Sequence, residues 1–222
     1  MTAPTTLEEK PDGPATTDGA RSPATRFGTL AMAIAIVVGL LLGYAGGLLT
    51  PGLSRPGDAS AEAGFARDMT THHAQAVEMG LIAFKHGTDQ EVQTIGGDIA
   101  LLQQGDIGTM QTWLRSWGLD PTGSEPRMAW LPDGTEMVRD GLMPGMATPE
   151  QMTQLREAQG TELDVLFLEL MITHHIGGIH MVDALLDQSD EKDVVQAAQT
   201  MKNTQQTDLT NLRNALERIQ QG

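Results

Sequence analysis

Polar and apolar positions along the chain change pattern twice. Residues 1–26 are rich in Thr, Pro, Gly and charge with no apolar period, which predicts a disordered tail. Residues 27–49, FGTLAMAIAIVVGLLLGYAGGLL, form an uncharged run of roughly 23 residues, long enough for a hydrocarbon core of about 30 Å. Beyond residue 51 the apolar positions recur with the spacing of amphipathic helices. Arg21 and Arg26 precede the apolar run, so residues 1–26 are expected in the cytoplasm, 27–50 as a transmembrane signal-anchor, and 51–222 outside. The rival is a cleaved signal peptide. Its apolar stretch is normally shorter, and the Ala59-Ser60-Ala61 pattern stands some ten residues past the run. Both readings put the bulk of the chain outside the cytoplasm.

Residues 60–118 read as a first helix hairpin. One helix spans Ser60 to His86, with Gly87 as a left-handed stop. Thr88-Asp89-Gln90-Glu91 is a capping box that opens a second helix, which runs to Trp117 and stops at Gly118. Residues 119–147 form an irregular connection, marked by Pro121, Pro126, Pro132 and Pro144 with Gly123, Gly134, Gly141 and Gly145. Residues 148–221 read as a second hairpin. Thr148-Pro149-Glu150-Gln151 caps a short helix, Gly160-Thr161 breaks it, and Thr161 with Asp164 re-caps a long helix to about Gln188. Ser189, with Asp190 and Glu191 in the first turn, opens the last helix, ending near Gln220.

The two hairpins match at one constant shift of 102 residues. FARDMTTHHAQAVEM (65–79) lies over FLELMITHHIGGIHM (167–181), so His72 and His73 match His174 and His175. The register continues into the partner helices, where Ile99, Gln103, Gln104, Asp106 and Ile107 lie over Met201, Gln205, Gln206, Asp208 and Leu209. The expected fold is all-α, a four-helix bundle from two tandem hairpins with approximate two-fold symmetry. At about 100° per residue, each His pair straddles an inward stripe by roughly 50° on either side. The stripe is Phe65, Met69, Ala76 and Gly80 in one copy, and Phe167, Met171, Gly178 and Val182 in the other. Ala76 and Gly178 leave room for a close helix or a ligand. Each hairpin thus sets a His pair opposite a Gln and an Asp. His86 and His180 are expected at the surface.

Composition narrows the chemistry. Aromatics are 4%, which suits a helical core of aliphatics and Met. With no Cys, thiol catalysis, iron–sulfur clusters and disulfides are excluded. A net charge of -15 argues against nucleic acid and for solubility. Two readings of the histidines stay open. They are a buried His/Asp/Gln network that only fixes helix packing, or they are metal ligands oriented by Asp106 and Asp208. Met69, Met79, Met171 and Met181 lie within a turn or two of them, and thioether with imidazole suits copper, Cu(I) especially. The connection and the short helix after it add Met128, Met137, Met143, Met146 and Met152, which either pack over the bundle's end or offer exposed sulfur. A di-iron oxidase would need Glu-x-x-His motifs, and there is none; nucleophile-elbow, Walker and His-Glu-x-x-His motifs are also missing.

The doubled His-His pair, the Met three residues before each, the Gln-Gln-x-Asp of the partner helices and GLMPGMATPEQMTQL (141–155) together resemble the bacterial family called domain of unknown function 305, over roughly 60–220. The resemblance implies a secreted or anchored four-helix bundle of the ferritin-like superfamily, with links to copper outside the cytoplasm. It points to His72, His73, His174 and His175, and to Met69, Met171, Met143 and Met146. The copies differ at Asp68, which faces Leu170, and at Glu78, which faces His180, so two sites need not be equivalent.

Overall fold

The computed structural model describes residues 24–53 and 55–221; Arg21 and the tail expected to be disordered lie outside them, apart from the start of the first helix. The described residues form six α-helices and no strand, as two compact units that divide between Ser54 and Arg55. The first unit contains α1, Ala24–Leu53. Within it, Gly28–Gly47 has a mean hydropathy of 2.2 and nothing covering it, so by length and composition it can cross a membrane.

The second unit is the pair of hairpins. It comprises α2 (Ala61–His86), α3 (Gln90–Trp117), the short α4 (Pro149–Glu157), α5 (Gly160–Leu186) and α6 (Lys192–Gln221). α2 packs on α3, α5 on α6, and the hairpins meet along α2 and α5, with α3 and α6 touching more lightly. α2 starts where expected, with the Ser60 hydroxyl accepting the Ala63 N–H at 3.2 Å. α3 stops at Gly118, whose φ of +75° is the left-handed conformation that glycine takes without strain. Thr148 and Gln151 form the reciprocal capping box at the start of α4. Inside the first hairpin the backbones nearly touch. A Cβ on Gly80 would sit 2.5 Å from the Gly96 carbonyl oxygen, and one on Gly96 2.7 Å from that of Gly80.

The hairpin turns differ from the sequence expectation. Gly87 has φ -58° and ψ 154°, so it is not a left-handed stop. Glycine is required there for space, because a Cβ would meet the Ala83 carbonyl at 2.6 Å and the Asp164 carboxylate at 2.9 Å. Asp89, not Thr88, caps α3, accepting from the N–H groups of Glu91 and Val92. Thr88 instead turns to α5: its N–H and hydroxyl, with the Asp89 N–H, donate to the buried Asp164 carboxylate. Asp164 therefore does not re-cap its own helix, and Gln159 stands at the N-cap of α5 without a side-chain bond. The other hairpin mirrors this. Glu62, the repeat counterpart of Asp164, accepts the hydroxyl of Ser189 at 2.7 Å. Ser189 also accepts the Glu191 N–H, and α6 begins three residues later than expected, at Lys192. The first helix of each hairpin so pins the turn of the other.

The core is split in two. One apolar cluster holds Phe65, Met69, Met110, Leu114, Met181 and Met201, and the other holds Met79, Ile99, Phe167, Leu168, Met171 and Leu212. On all four long helices the break between them falls at the His pairs or at the Gln and Asp that match them.

Candidate metal centre

A helix turning about 100° per residue cannot point two adjacent side chains the same way. Placed either side of the buried stripe, both members of each pair are nonetheless enclosed, because each long helix has neighbours on two sides. All four histidines are at most 1% exposed. The outer members face their own hairpin. His73 Nε2 lies 3.3 Å from Asp106 Oδ2, and His175 Nε2 lies 3.3 Å from Asp208 Oδ2, the same contact twice. The inner members meet each other across the bundle: the His72 and His174 ring centroids are 3.8 Å apart with 36° between planes.

Hydrogen bonds set the proton positions. His72 Nε2–H donates to the Pro144 carbonyl at 3.0 Å, which leaves Nδ1 as a bare lone pair. His175 has an acceptor at each nitrogen, the Met171 carbonyl 3.1 Å from Nδ1 and the Asp208 carboxylate 3.3 Å from Nε2, and the ring donates an N–H to either. His73 Nδ1 has no partner, and His174 has none at either nitrogen. A ring held by one N–H with the other nitrogen free is the arrangement of a ligating histidine. Burial pushes His72 down to about 3, with the neighbouring His73 adding to it and the Pro144 bond opposing. Burial likewise lowers His73 against the pull of Asp106, and lowers His174 well below the ordinary value, helped by His72, His175 and His73. These three rings are neutral at neutral pH, the form that binds a metal.

Gln103 and Gln205 complete the layer, both buried and both without a partner at either amide atom. Among the described residues, every buried side-chain nitrogen or oxygen lacking a partner belongs to His72, His73, His174, Gln103 or Gln205. Native interiors rarely leave such groups unmet, and an unmodified network of this kind destabilises the fold. Concentrated in one layer, they fit a cation or ordered water. No group of three or more His, Asp or Glu among the described residues is already gathered as a cage, because Asp106 and Asp208 flank the layer from outside. The fit to a metal therefore rests on imidazole nitrogens.

The methionines divide between the two clusters. Met69 and Met143 lie buried on one side of the layer, and Met171 on the other. Met146 is half-buried against the first cluster, and Met128 and Met152 are also buried, so of the connection's methionines only Met137 is exposed. Met143 is buried and Met146 half-buried where the connection crosses the middle of α2 and α5 beside His72 and His174, so they do not lie over the bundle's end. His86 and His180 are exposed, as expected.

The sequence reading did not identify what holds the segment 143–147. Gln75 binds it at both ends of its amide, donating to the Ala147 carbonyl at 2.9 Å and accepting the Ala147 N–H at 2.7 Å. On the other side it lies on bare backbone, since a Cβ on Gly177 would be 2.0 Å from the Pro144 carbonyl oxygen. Asp68 was noticed only as an asymmetry. Its buried carboxylate accepts the Met128 N–H at 2.7 Å and the Trp130 indole N–H at 2.9 Å, fastening the earlier part of the connection to α2. Burial raises its pKa against those bonds. Gln75 faces Gly177 in the repeat just as Asp68 faces Leu170, so positions where the copies differ were the available signal.

Comparison with known proteins covers nearly the whole second unit. The family model described as Domain of unknown function (DUF305) matches residues 62–216. A solved DUF305 protein from Streptomyces coelicolor is 36% identical, covering 73% of this chain and 96% of that one, with a TM-score of 0.67. A DUF305 fragment from Deinococcus radiodurans is 27% identical, covering 71% and 96%, with a TM-score of 0.59. CopM in its Cu(II)-bound form is 21% identical, covering 72% and 97%, with a TM-score of 0.56, and shares the fold. CopM is also solved with Cu(I) and with Ag. No curated protein matches the chain.

Proposed function

This chain belongs to the DUF305 family, and from that premise we propose that it is an extracytoplasmic copper-binding protein, held at the membrane by α1 and acting in copper sequestration or tolerance. The observation that carries the reading is that, among the described residues, the unpartnered buried side-chain atoms are confined to the histidine layer. His72, His73, His174 and His175 are the principal ligands. Asp106 and Asp208 orient the outer pair or bind directly. Met69, Met171, Met143 and Met146 supply thioethers near the layer. Imidazole with thioether and no thiolate favours copper over zinc or calcium. That CopM, with the same fold, binds Cu(II), Cu(I) and Ag supports the choice of metal. Anchoring rests on the length and hydropathy of α1 and on Arg21 and Arg26 before its apolar span.

The test is a Cu(I) titration of the full chain in detergent against a chromogenic chelator. Wild type binds with a defined stoichiometry, and the double variant His72→Ala, His174→Ala loses most of that binding while keeping its helicity. Equal binding by the variant removes the histidines as the site. A second reading, that the layer only specifies packing, is favoured by the lack of a gathered group of three His, Asp or Glu among the described residues. It predicts no copper in protein purified from copper-fed cells, and a lower melting temperature in the same variant without metal.

A further inference from the structure

The two glutamines of the layer occupy equivalent positions in the repeat but not equivalent surroundings. Gln205 is 3% exposed and Gln103 is 4% exposed, and neither amide has a partner. A buried primary amide offers two donors and two acceptor lone pairs, so leaving it unmet is among the more costly choices a core can make. Hydrophobic residues of similar size would fill the same volume without that penalty.

What differs is the neighbour on the facing helix. A Cβ on Gly178 would stand 2.5 Å from Gln205 Oε1 and 3.3 Å from His72 Cε1. The missing side chain thus lets the amide oxygen and the His72 ring approach the same point, one turn beyond His174. The repeat counterpart of Gly178 is the fully buried Ala76, which carries the methyl that Gly178 lacks. The bundle is pseudo-symmetric in its histidines and asymmetric one turn beyond them, with glycine in one copy and alanine in the other.

We propose that Gln205 is a further donor to the copper site, its amide oxygen joining the rings of His72 and His174, and that Gly178 is the position that admits it. This rests on the copper reading above. An amide oxygen is a hard donor, and with imidazole nitrogen it suits Cu(II) better than Cu(I). The site is therefore single, lies toward the second hairpin, and holds the oxidised ion more tightly than a pair of imidazoles alone would.

The test uses the full chain in detergent, titrated with Cu(II) and with Cu(I), with paramagnetic resonance spectra at one equivalent of Cu(II). Gln205→Leu is expected to weaken Cu(II) binding about tenfold or more, in the range of losses seen when a supporting metal-site group is removed. It changes the copper hyperfine pattern and affects Cu(I) less. Its melting temperature without metal does not fall, because the substitution removes two unpartnered atoms, so loss of folding does not imitate the effect. Gly178→Ala reproduces the Cu(II) loss, Gln205→Glu keeps an oxygen donor and retains Cu(II), and Gln103→Leu weakens Cu(II) binding several-fold less than Gln205→Leu does. Wild-type affinity and spectrum in Gln205→Leu overturn the role of Gln205 while leaving the copper reading standing. Equal losses in Gln103→Leu and Gln205→Leu overturn the asymmetry. Failure of the wild type to bind either ion overturns the copper reading and this inference with it.

Discussion

The first and second hairpins are copies, yet they treat the segment 143–147 in opposite ways. The first grips it with a long amide, Gln75 on Ala147, and with a ring, His72 on Pro144. The second gives way to it: Gly177 offers no side chain, and Gly145, at φ +81°, lies where a Cβ would be 2.6 Å from the Thr173 carbonyl. One strand of chain cannot be related to both halves by a two-fold axis. The residues under it must therefore differ, and they differ at neighbouring positions, 75 against 177 and 76 against 178. Symmetry is kept where only helices meet, as in the paired 3.3 Å contacts of His73 with Asp106 and His175 with Asp208. The connection breaks the symmetry, and it leaves His72 with a carbonyl partner that His174 lacks.

Acid should break both halves together. His72 is held at about 3 when folded against an ordinary value near 6.5, so the unfolded chain binds the extra proton between those limits. Stability in the metal-free protein therefore rises with pH through that window and is lost as pH falls below about 6.5, by about 1.4 kcal/mol per unit for this ring at most. His73 and His174 shift in the same direction, and the raised Asp68 carboxyl works the opposite way. Urea unfolding at pH 7, 6, 5 and 4 measures the slope; a flat profile would mean that the rings are not buried in neutral form.

Swapping the reciprocal turn pins sharpens the comparison. Asp164→Ala removes the buried carboxylate that holds the Thr88 and Asp89 N–H groups and the Thr88 hydroxyl, and should cost about 3 kcal/mol. Glu62→Ala removes one hydroxyl bond at a half-buried site and should cost about 1 kcal/mol. Denaturant midpoints of the two variants decide whether the mirrored pins carry unequal weight. Next in size, Gly177→Ala drives a methyl into the Pro144 carbonyl and should destabilise by about 2 to 3 kcal/mol. Gly105→Ala, with open space around it in α3, should stabilise by about 0.5 to 1 kcal/mol. The most local effect belongs to Gln75→Ala. It gives up two hydrogen bonds to Ala147, about 1 to 2 kcal/mol, and should speed amide exchange in the segment 143–147 before it changes the melting temperature much.

Helices, hairpins and the repeat were legible because each is written in local periodicity, and the enclosure of His72, His73, His174 and His175 followed from their places beside an apolar stripe. Gln103 and Gln205 facing the histidines were legible for the same reason. The turns were not, because Asp164 and Glu62 act on residues in the other hairpin, and local capping rules assigned Thr88 and Thr161 to their own helices. The fate of Met143 and Met146 was also hidden. Sequence shows that a Pro/Gly-rich segment is irregular, but not that Gly177 has made a bed for it.

The central claim is that copper sits among imidazoles in a layer shared by both hairpins. Copper K-edge absorption of the full chain, loaded with one equivalent, tests it most directly. The account predicts imidazole nitrogen scattering in the wild type that disappears in His72→Ala, His174→Ala. A spectrum of thioether sulfur alone, or an unchanged spectrum in the double variant, would contradict it.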